Sequence, residues 1–324
     1  MARSSATTTG APSWCPTPVA ETSEGSEVAV SGGISGADEV PGAAGSSGAQ
    51  AGSAAVLAAG STQTPPATVP AGGEGLRLIR LPDPAAVAEA VANLLLEEAL
   101  AADARPLGLA TGRTMEPVYA SLARRLALQP PSRAAALRRR WRSFNLDEYV
   151  GLGPGDPGSF AAEMRERLSD PLGLDPAGVR LPDGLDPDPE AAATRYGAAV
   201  AAEGGIGLQL LGLGLNGHVG FNEPPCGPDV PCRCVTLCPT TRRANAPAFG
   251  GDPDAVPARA ITLGLREILA ADRLLLVVTG AAKAQVLHRV LSEPPSPELP
   301  ASWIQRHPAV TVIADEAALG TAEG

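Results

Sequence analysis

The sequence predicts an α/β protein: a doubly wound, mostly parallel sheet flanked by helices, in a single domain behind a disordered N-terminal tail. From Leu76 onward, apolar runs alternate with amphipathic runs, the order that lays strands parallel with crossover helices between them. Four of the apolar runs pass directly into polar or glycine-containing segments, as expected where parallel strands deliver their carboxyl ends to a ligand. The 324 residues are 44% hydrophobic and 19% charged, which suits one domain of about 250 residues.

Residues 1–74 hold 54 Ala, Gly, Ser, Thr or Pro, one basic residue, Arg3, and one aromatic, Trp14. A segment of that kind cannot bury enough apolar surface to offset its ordering entropy. It reads as a tail, with the folded domain spanning 75–324. Glu21, Glu24, Glu27, Asp38 and Glu39 argue against a transit peptide, and no charged head precedes an apolar core as in a secretory signal. A cytoplasmic location is expected.

Within the domain, 76–81 is an apolar run and reads as a strand, and 84–102 is amphipathic and reads as a helix. The alternation continues with strand 107–110, helix 115–128, strand 141–146 and helices 159–168 and 189–203. Strand 208–213, strand 274–279, helix 281–291 and strand 310–314 complete it. Residues 181–189 and 224–257 are rich in Pro, Gly and Asp. The second stretch carries almost no period and reads as a long functional loop or lid rather than core.

Charge and cysteine usage exclude several classes. With 25 basic and 35 acidic residues, and no basic run beyond Arg138-Arg139-Arg140, nothing tracks a nucleic-acid backbone. No apolar stretch approaches the roughly 20 residues that span a bilayer. Cys226, Cys232, Cys234 and Cys238 are spaced C-x5-C-x-C-x3-C without an interleaved His, unlike the paired ligands of zinc sites. No metal is expected. Oligomeric state is open, a homo-oligomer included.

The chemistry gathers at four strand ends. Thr111-Gly112-Arg113-Thr114 follows the second strand. A turn of this kind entering a helix offers free N–H groups, hydroxyls and the positive end of a helix dipole to a phosphate, although Thr111 alone reads equally well as a helix cap. Asp147 and Glu148 follow the apolar run 141–146; one of them is a candidate general base, and a helix cap beside a surface acid is the plainer alternative.

The densest cluster is Gly212 to Pro224, where Asn216, His218 and Glu223 join an orienting amide, a proton carrier and a carboxylate among several glycines. After 274–278 comes Thr279-Gly280-Ala281-Ala282-Lys283, and Lys283 is the only lysine in the chain. A compact ammonium suits a phosphate oxygen. Arg242 and Arg243 read equally as an anion clamp or as a solvated pair.

The segments Phe144-Asn145-Leu146-Asp147-Glu148-Tyr149-Val150-Gly151 and Asn216-Gly217-His218-Val219-Gly220-Phe221-Asn222-Glu223-Pro224 resemble the two signature segments of the glucosamine-6-phosphate deaminase family. Thr111-Gly112, Thr241-Arg242 with Ala244-Asn245, and Gly280 with Lys283 agree in order, so the resemblance runs from Leu76 to about Glu316. It implies a Rossmann-like fold and conversion of glucosamine 6-phosphate and water to fructose 6-phosphate and ammonium, without cofactor, in amino-sugar catabolism.

By the same resemblance His218 opens the sugar ring, with Glu223 and Asn216 orienting it, and Asp147 carries a proton between C2 and C1. Thr111, Gly112, Arg113, Thr114, Arg242 and Lys283 hold the phosphate. The sequence departs from the family pattern at Asn216, where many members carry Asp, and at Arg113, where a second Gly is frequent. Few basic residues stand between Cys226 and Val235, so no amino-sugar effector site is expected. A 6-phosphogluconolactonase or another sugar-phosphate isomerase of the same superfamily, and a non-catalytic sugar-phosphate sensor, are the alternatives.

Overall fold

The computed structural model describes residues 68–70, 75–101 and 103–320; the tail expected over 1–74 lies outside them except for the strand β1, Thr68–Pro70. β1 pairs antiparallel with β2, Leu76–Leu81. Helix α1, Pro84–Leu100, starts where the Asp83 carboxylate accepts the Ala86 N–H at 2.8 Å and Pro84 occupies the first turn, a position where a missing N–H costs nothing. It buries Val87, Val91, Leu95 and Leu96.

The chain continues through β3 (Leu107–Leu109), α2 (Glu116–Ala127), α3 (Pro131–Arg140), β4 (Ser143–Asn145) and β5 (Asp147–Tyr149). Next come α4 (Phe160–Met164), a π-helical turn at Arg165–Ser169, α5 (Asp170–Leu172), β6 (Val179–Arg180), α6 (Pro189–Ala202) and β7 (Leu208–Leu211). The remainder is β8 (Arg233–Thr236), α7 (Pro239–Asn245), β9 (Arg259–Thr262), α8 (Leu265–Leu269), β10 (Arg273–Val278), α9 (Ala284–Ser292), β11 (Val310–Asp315) and α10 (Glu316–Leu319).

Eight strands form one sheet in the order β1-β2-β11-β10-β7-β3-β4-β6, parallel throughout except for β1. β7 and β10 are buried along nearly their whole length, as strands covered by helices on both faces must be. The mostly parallel doubly wound sheet read from the sequence is therefore the observed architecture. No helix of the described residues is long and apolar enough to cross a membrane.

From β3 the chain moves outward to β4 and β6, whereas from β7 it moves the other way to β10 and β11. The connections leaving β3 and β7 thus diverge, and the crevice between them lies at the carboxyl ends of the strands.

Three readings of the sequence are corrected here. The strand read over 141–146 is confined to Ser143–Asn145 in the main sheet, and the residues just beyond it, Asp147–Tyr149, form a further strand in a second, antiparallel sheet in the order β5-β9-β8. The stretch 224–257 is not irregular, since it supplies β8 and α7. The run 159–168 is helical as read, but it is α-helical only to Met164 and then widens into the π turn. Periodicity missed β8 and β9 because four residues in a small sheet need only one buried face, and their partner strand is remote in sequence.

A second, smaller core holds this sheet to its surroundings. Of ten aromatic residues in the chain, Tyr149, Phe160, Phe221 and Phe249 converge, with ring centroids 4.7 to 5.9 Å apart. Such pairs contribute about 0.5–1.5 kcal/mol each beyond the area they bury. The main core is centred on the strands: Leu210 is fully buried in β7. Replacing Leu210 by Ala is expected to destabilise the protein by about 2–5 kcal/mol, read as a lower urea midpoint with an unchanged slope.

Candidate functional site

The loop after β7 carries the densest motif, and its backbone explains the glycines. A Cβ on Gly214 would fall 2.3 Å from the Cε1 and Nδ1 atoms of His218, so only glycine lets the imidazole lie flat against this backbone. The Gly214 N–H donates to the His218 carbonyl at 2.9 Å and closes the turn. Gly220, at φ +56°, lies against β9 and β5; a Cβ there would stand 3.0 Å from Thr262 Oγ1 and 3.3 Å from Asp147 Oδ2. Those contacts bring the carboxylate at the head of β5 against the loop that carries His218.

The amide at position 216 sets the state of the histidine. Asn216 Oδ1 lies 2.6 Å from His218 Nδ1 and also accepts the His218 backbone N–H at 3.3 Å. A backbone N–H only donates, so Asn216 presents its oxygen, Nδ1 carries the proton, and Nε2 is left with its lone pair. Burial pushes the imidazole pKa down to about 4; Lys283 adds to the fall and Glu223 opposes it. At neutral pH the ring is uncharged and able to accept a proton at Nε2.

The two adjacent carboxylates take separate tasks. Glu148 is 1% exposed and accepts the N–H groups of Tyr149 at 2.8 Å, Phe160 at 3.0 Å and Ala161 at 2.8 Å. It caps the start of α4, and burial outweighs those bonds to push its pKa up to about 6. Asp147 is 6% exposed and accepts no hydrogen bond among the described residues. Its pKa stands well above the usual carboxylate range, first through burial and then through Glu148 and Glu163. A buried carboxylate left without donors is a strong base held ready.

Glu223 is half-buried and fastened to the segment that follows β8. It accepts from the Cys238 N–H at 3.1 Å, from Cys238 Sγ at 3.0 Å and from the Thr241 hydroxyl. Asn222 pins the same turn: its amide donates to the carbonyls of Val219 and Leu263, and its oxygen accepts from Arg233. The cysteines have separate partners in this arrangement, and among the described residues no group of His, Cys, Asp and Glu is gathered as a metal cluster.

Thr111 to Thr114 turn from β3 into α2, and the Tyr119 hydroxyl holds that turn by donating to the Ala110 carbonyl. Lys283 follows β10 on a short 3-10 turn, which Asp315 fixes by accepting the Gly280 N–H at 3.0 Å. Lys283 is half-buried, and its pKa is lowered first by burial and then by the charge of Arg113. Arg113 and Lys283, at two strand ends, therefore lie within electrostatic reach of each other. Arg242 is differently engaged: its guanidinium donates to the carbonyls of Val256 and Asp254 and pairs with the Asp254 carboxylate.

Sequence reasoning missed Glu163. Its carboxylate accepts the Gly112 N–H at 2.8 Å, a contact across 51 residues that no local pattern reveals. It also missed Cys238 as a partner of Glu223, because the thiol reaches the carboxylate only once β8 is in place.

The sequence pattern of the glucosamine-6-phosphate isomerases/6-phosphogluconolactonase family matches residues 82–313. The glucosamine-6-phosphate deaminase of Rhodopirellula baltica is 41% identical over 247 residues, 75% of this chain and 96% of that protein. A Geobacillus deaminase is 36% identical over 75% of this chain and 95% of its own. Among solved structures, a monomeric glucosamine-6-phosphate deaminase superposes with a TM-score of 0.70 at 33% identity, covering 75% of this chain and 98% of the other. A Trypanosoma cruzi 6-phosphogluconolactonase superposes at 0.61 with 18% identity, over 78% and 99% of the two chains, a likeness of fold alone. With a pattern match over most of the domain and relatives covered almost end to end, this chain belongs to the glucosamine-6-phosphate isomerase/6-phosphogluconolactonase family.

Proposed function

We propose that the protein is a glucosamine-6-phosphate deaminase, converting glucosamine 6-phosphate and water to fructose 6-phosphate and ammonium in the breakdown of amino sugars, N-acetylglucosamine included. The observation that carries this reading is a buried Asp147, without a hydrogen-bond donor among the described residues, lying against Gly220 of the same loop in which Gly214 backs a neutral His218. A carboxylate of that kind suits removal of a carbon-bound proton, and the relatives matched over almost their whole length are glucosamine-6-phosphate deaminases.

In this scheme His218 Nε2 takes the proton of the anomeric hydroxyl and returns it to the ring oxygen, opening the sugar. Asn216 keeps Nδ1 protonated throughout, so a single nitrogen does the transfer. Asp147 removes the C2 proton and delivers it to C1, leaving an iminium at C2. Water adds there, ammonium departs, and the ketose remains. Glu223, held by Cys238 and Thr241, orients and tunes His218.

The phosphate is assigned to the N–H groups and hydroxyls of Thr111, Gly112, Arg113 and Thr114, with Arg113 and Lys283 as its cations. In a chain of net charge −10, a dianion needs local positive charge, and these two side chains face one another's field. Arg242, tied to Asp254 and two carbonyls, is assigned to holding the segment that carries Glu223's partners.

The defining experiment is ammonium and fructose 6-phosphate release from glucosamine 6-phosphate by the purified protein. Activity confined to a phosphogluconolactone would overturn the proposal. Asp147→Asn and His218→Gln are each expected to lower kcat by about 10²–10⁴-fold without loss of the folding transition. Arg113→Ala is expected to raise KM about tenfold or more with kcat little changed, as loss of a charge-assisted contact does, whereas Arg242→Ala should act through stability.

The pH dependence follows from the base. Asp147 works ionised, and its pKa is raised, so kcat/KM is expected to fall with decreasing pH at a value well above an ordinary aspartate. Glu148→Gln removes one of the negative charges that raise Asp147, so the acid limb should move to lower pH. A limb unmoved by that change would separate Asp147 from the profile.

A further inference from the structure

We infer that Glu163 competes with the substrate phosphate for the Gly112 N–H, so that its ionisation governs how tightly the site takes a phosphate monoester. The inference rests on the phosphate assignment above, and it starts from one contact: Glu163 Oε1 accepts the Gly112 N–H at 2.8 Å. That N–H belongs to the turn between β3 and α2, the segment assigned above to the phosphate. One N–H accommodates one strong acceptor, and two anions brought to it repel each other.

The surroundings of Glu163 sharpen the conflict. From α2 it meets Glu116 and Tyr119, from β5 Asp147, Glu148 and Tyr149, and from its own helix and the turn beyond it Glu166 and Arg167. Arg167 is the one cation in that group. Burial first, and then Glu116, hold the Glu163 carboxyl above its ordinary range, against the lowering effect of the Gly112 bond and Arg167. Above that raised pKa the ionised side chain occupies the donor; below it the charge is gone and the phosphate meets no like charge there. The affinity for phosphate is therefore reduced as Glu163 ionises.

A purely structural role makes a different prediction. If the contact only ties α4 to the turn after β3, a glutamine of the same length keeps an acceptor oxygen and leaves phosphate binding unchanged. The test is calorimetric titration of inorganic phosphate into wild type and Glu163→Gln at about pH 5 and about pH 8, the limits bracketing a raised carboxylate. The variant is expected to bind phosphate about tenfold more tightly at the higher pH, with the ratio shrinking towards one at the lower. The ionisation of phosphate itself is common to both proteins and cancels in the ratio.

In turnover assays the same variant should lower the KM for glucosamine 6-phosphate more than it changes kcat. Equal or weaker phosphate binding by Glu163→Gln at the higher pH, or a ratio that does not vary with pH, overturns the inference. Wild-type protein that binds phosphate as described and releases no ammonium overturns the deaminase assignment and leaves the Glu163 competition standing.

Discussion

Between β3 and β7 the crossover connections turn to opposite sides of the sheet, and the gap they leave open is the constraint on which the site depends. Parallel strands in register deliver their carboxyl ends to one edge, where the main chain must turn and where N–H groups at helix starts lack partners. Three turns gather there: Thr111–Thr114 after β3, Gly212–Glu223 after β7 and Gly280–Lys283 after β10. Each is secured by a group not assigned to substrate: the Tyr119 hydroxyl, the Asn222 amide and the Asp315 carboxylate respectively. The residues assigned to substrate are in this way relieved of holding the fold.

The same separation of labour appears among the carboxylates. Glu148 is surrounded by backbone donors and finishes a helix; Asp147, its neighbour in the chain, faces the opposite way on β5 and has none. Alternation along a strand accounts for the difference, since adjacent residues point to opposite faces. Desolvation then acts without compensation on Asp147 and against three hydrogen bonds on Glu148, which sets their basicities apart.

The amide at position 216 has a physical consequence. A carboxylate would stabilise an imidazolium; the amide oxygen instead fixes a neutral tautomer, and burial keeps it neutral. The ring is suited to passing one proton between two oxygens without storing charge. In the same way, Arg113 enters the phosphate turn while Arg242 is drawn aside by Asp254, so the positive charge assigned to phosphate comes from the strand ends rather than from the segment over them.

The parallel doubly wound sheet was legible in the order of residues, because buried strands and amphipathic helices leave periodic apolar patterns. That order also marked the four polar strand ends, since Gly, Asn, His and Asp have no reason to follow apolar runs except to turn the chain or meet a ligand. The folded chain was needed to show which of Asp147 and Glu148 lacks a donor among the described residues, that Glu163 reaches Gly112, and that Cys238 and Thr241 hold Glu223. It alone produced the second sheet, whose short strands β8 and β9 acquire meaning from β5, more than eighty residues earlier in the chain. Those outcomes depend on which distant groups share a desolvated space, and neither burial nor pairing across such distances is written in local order.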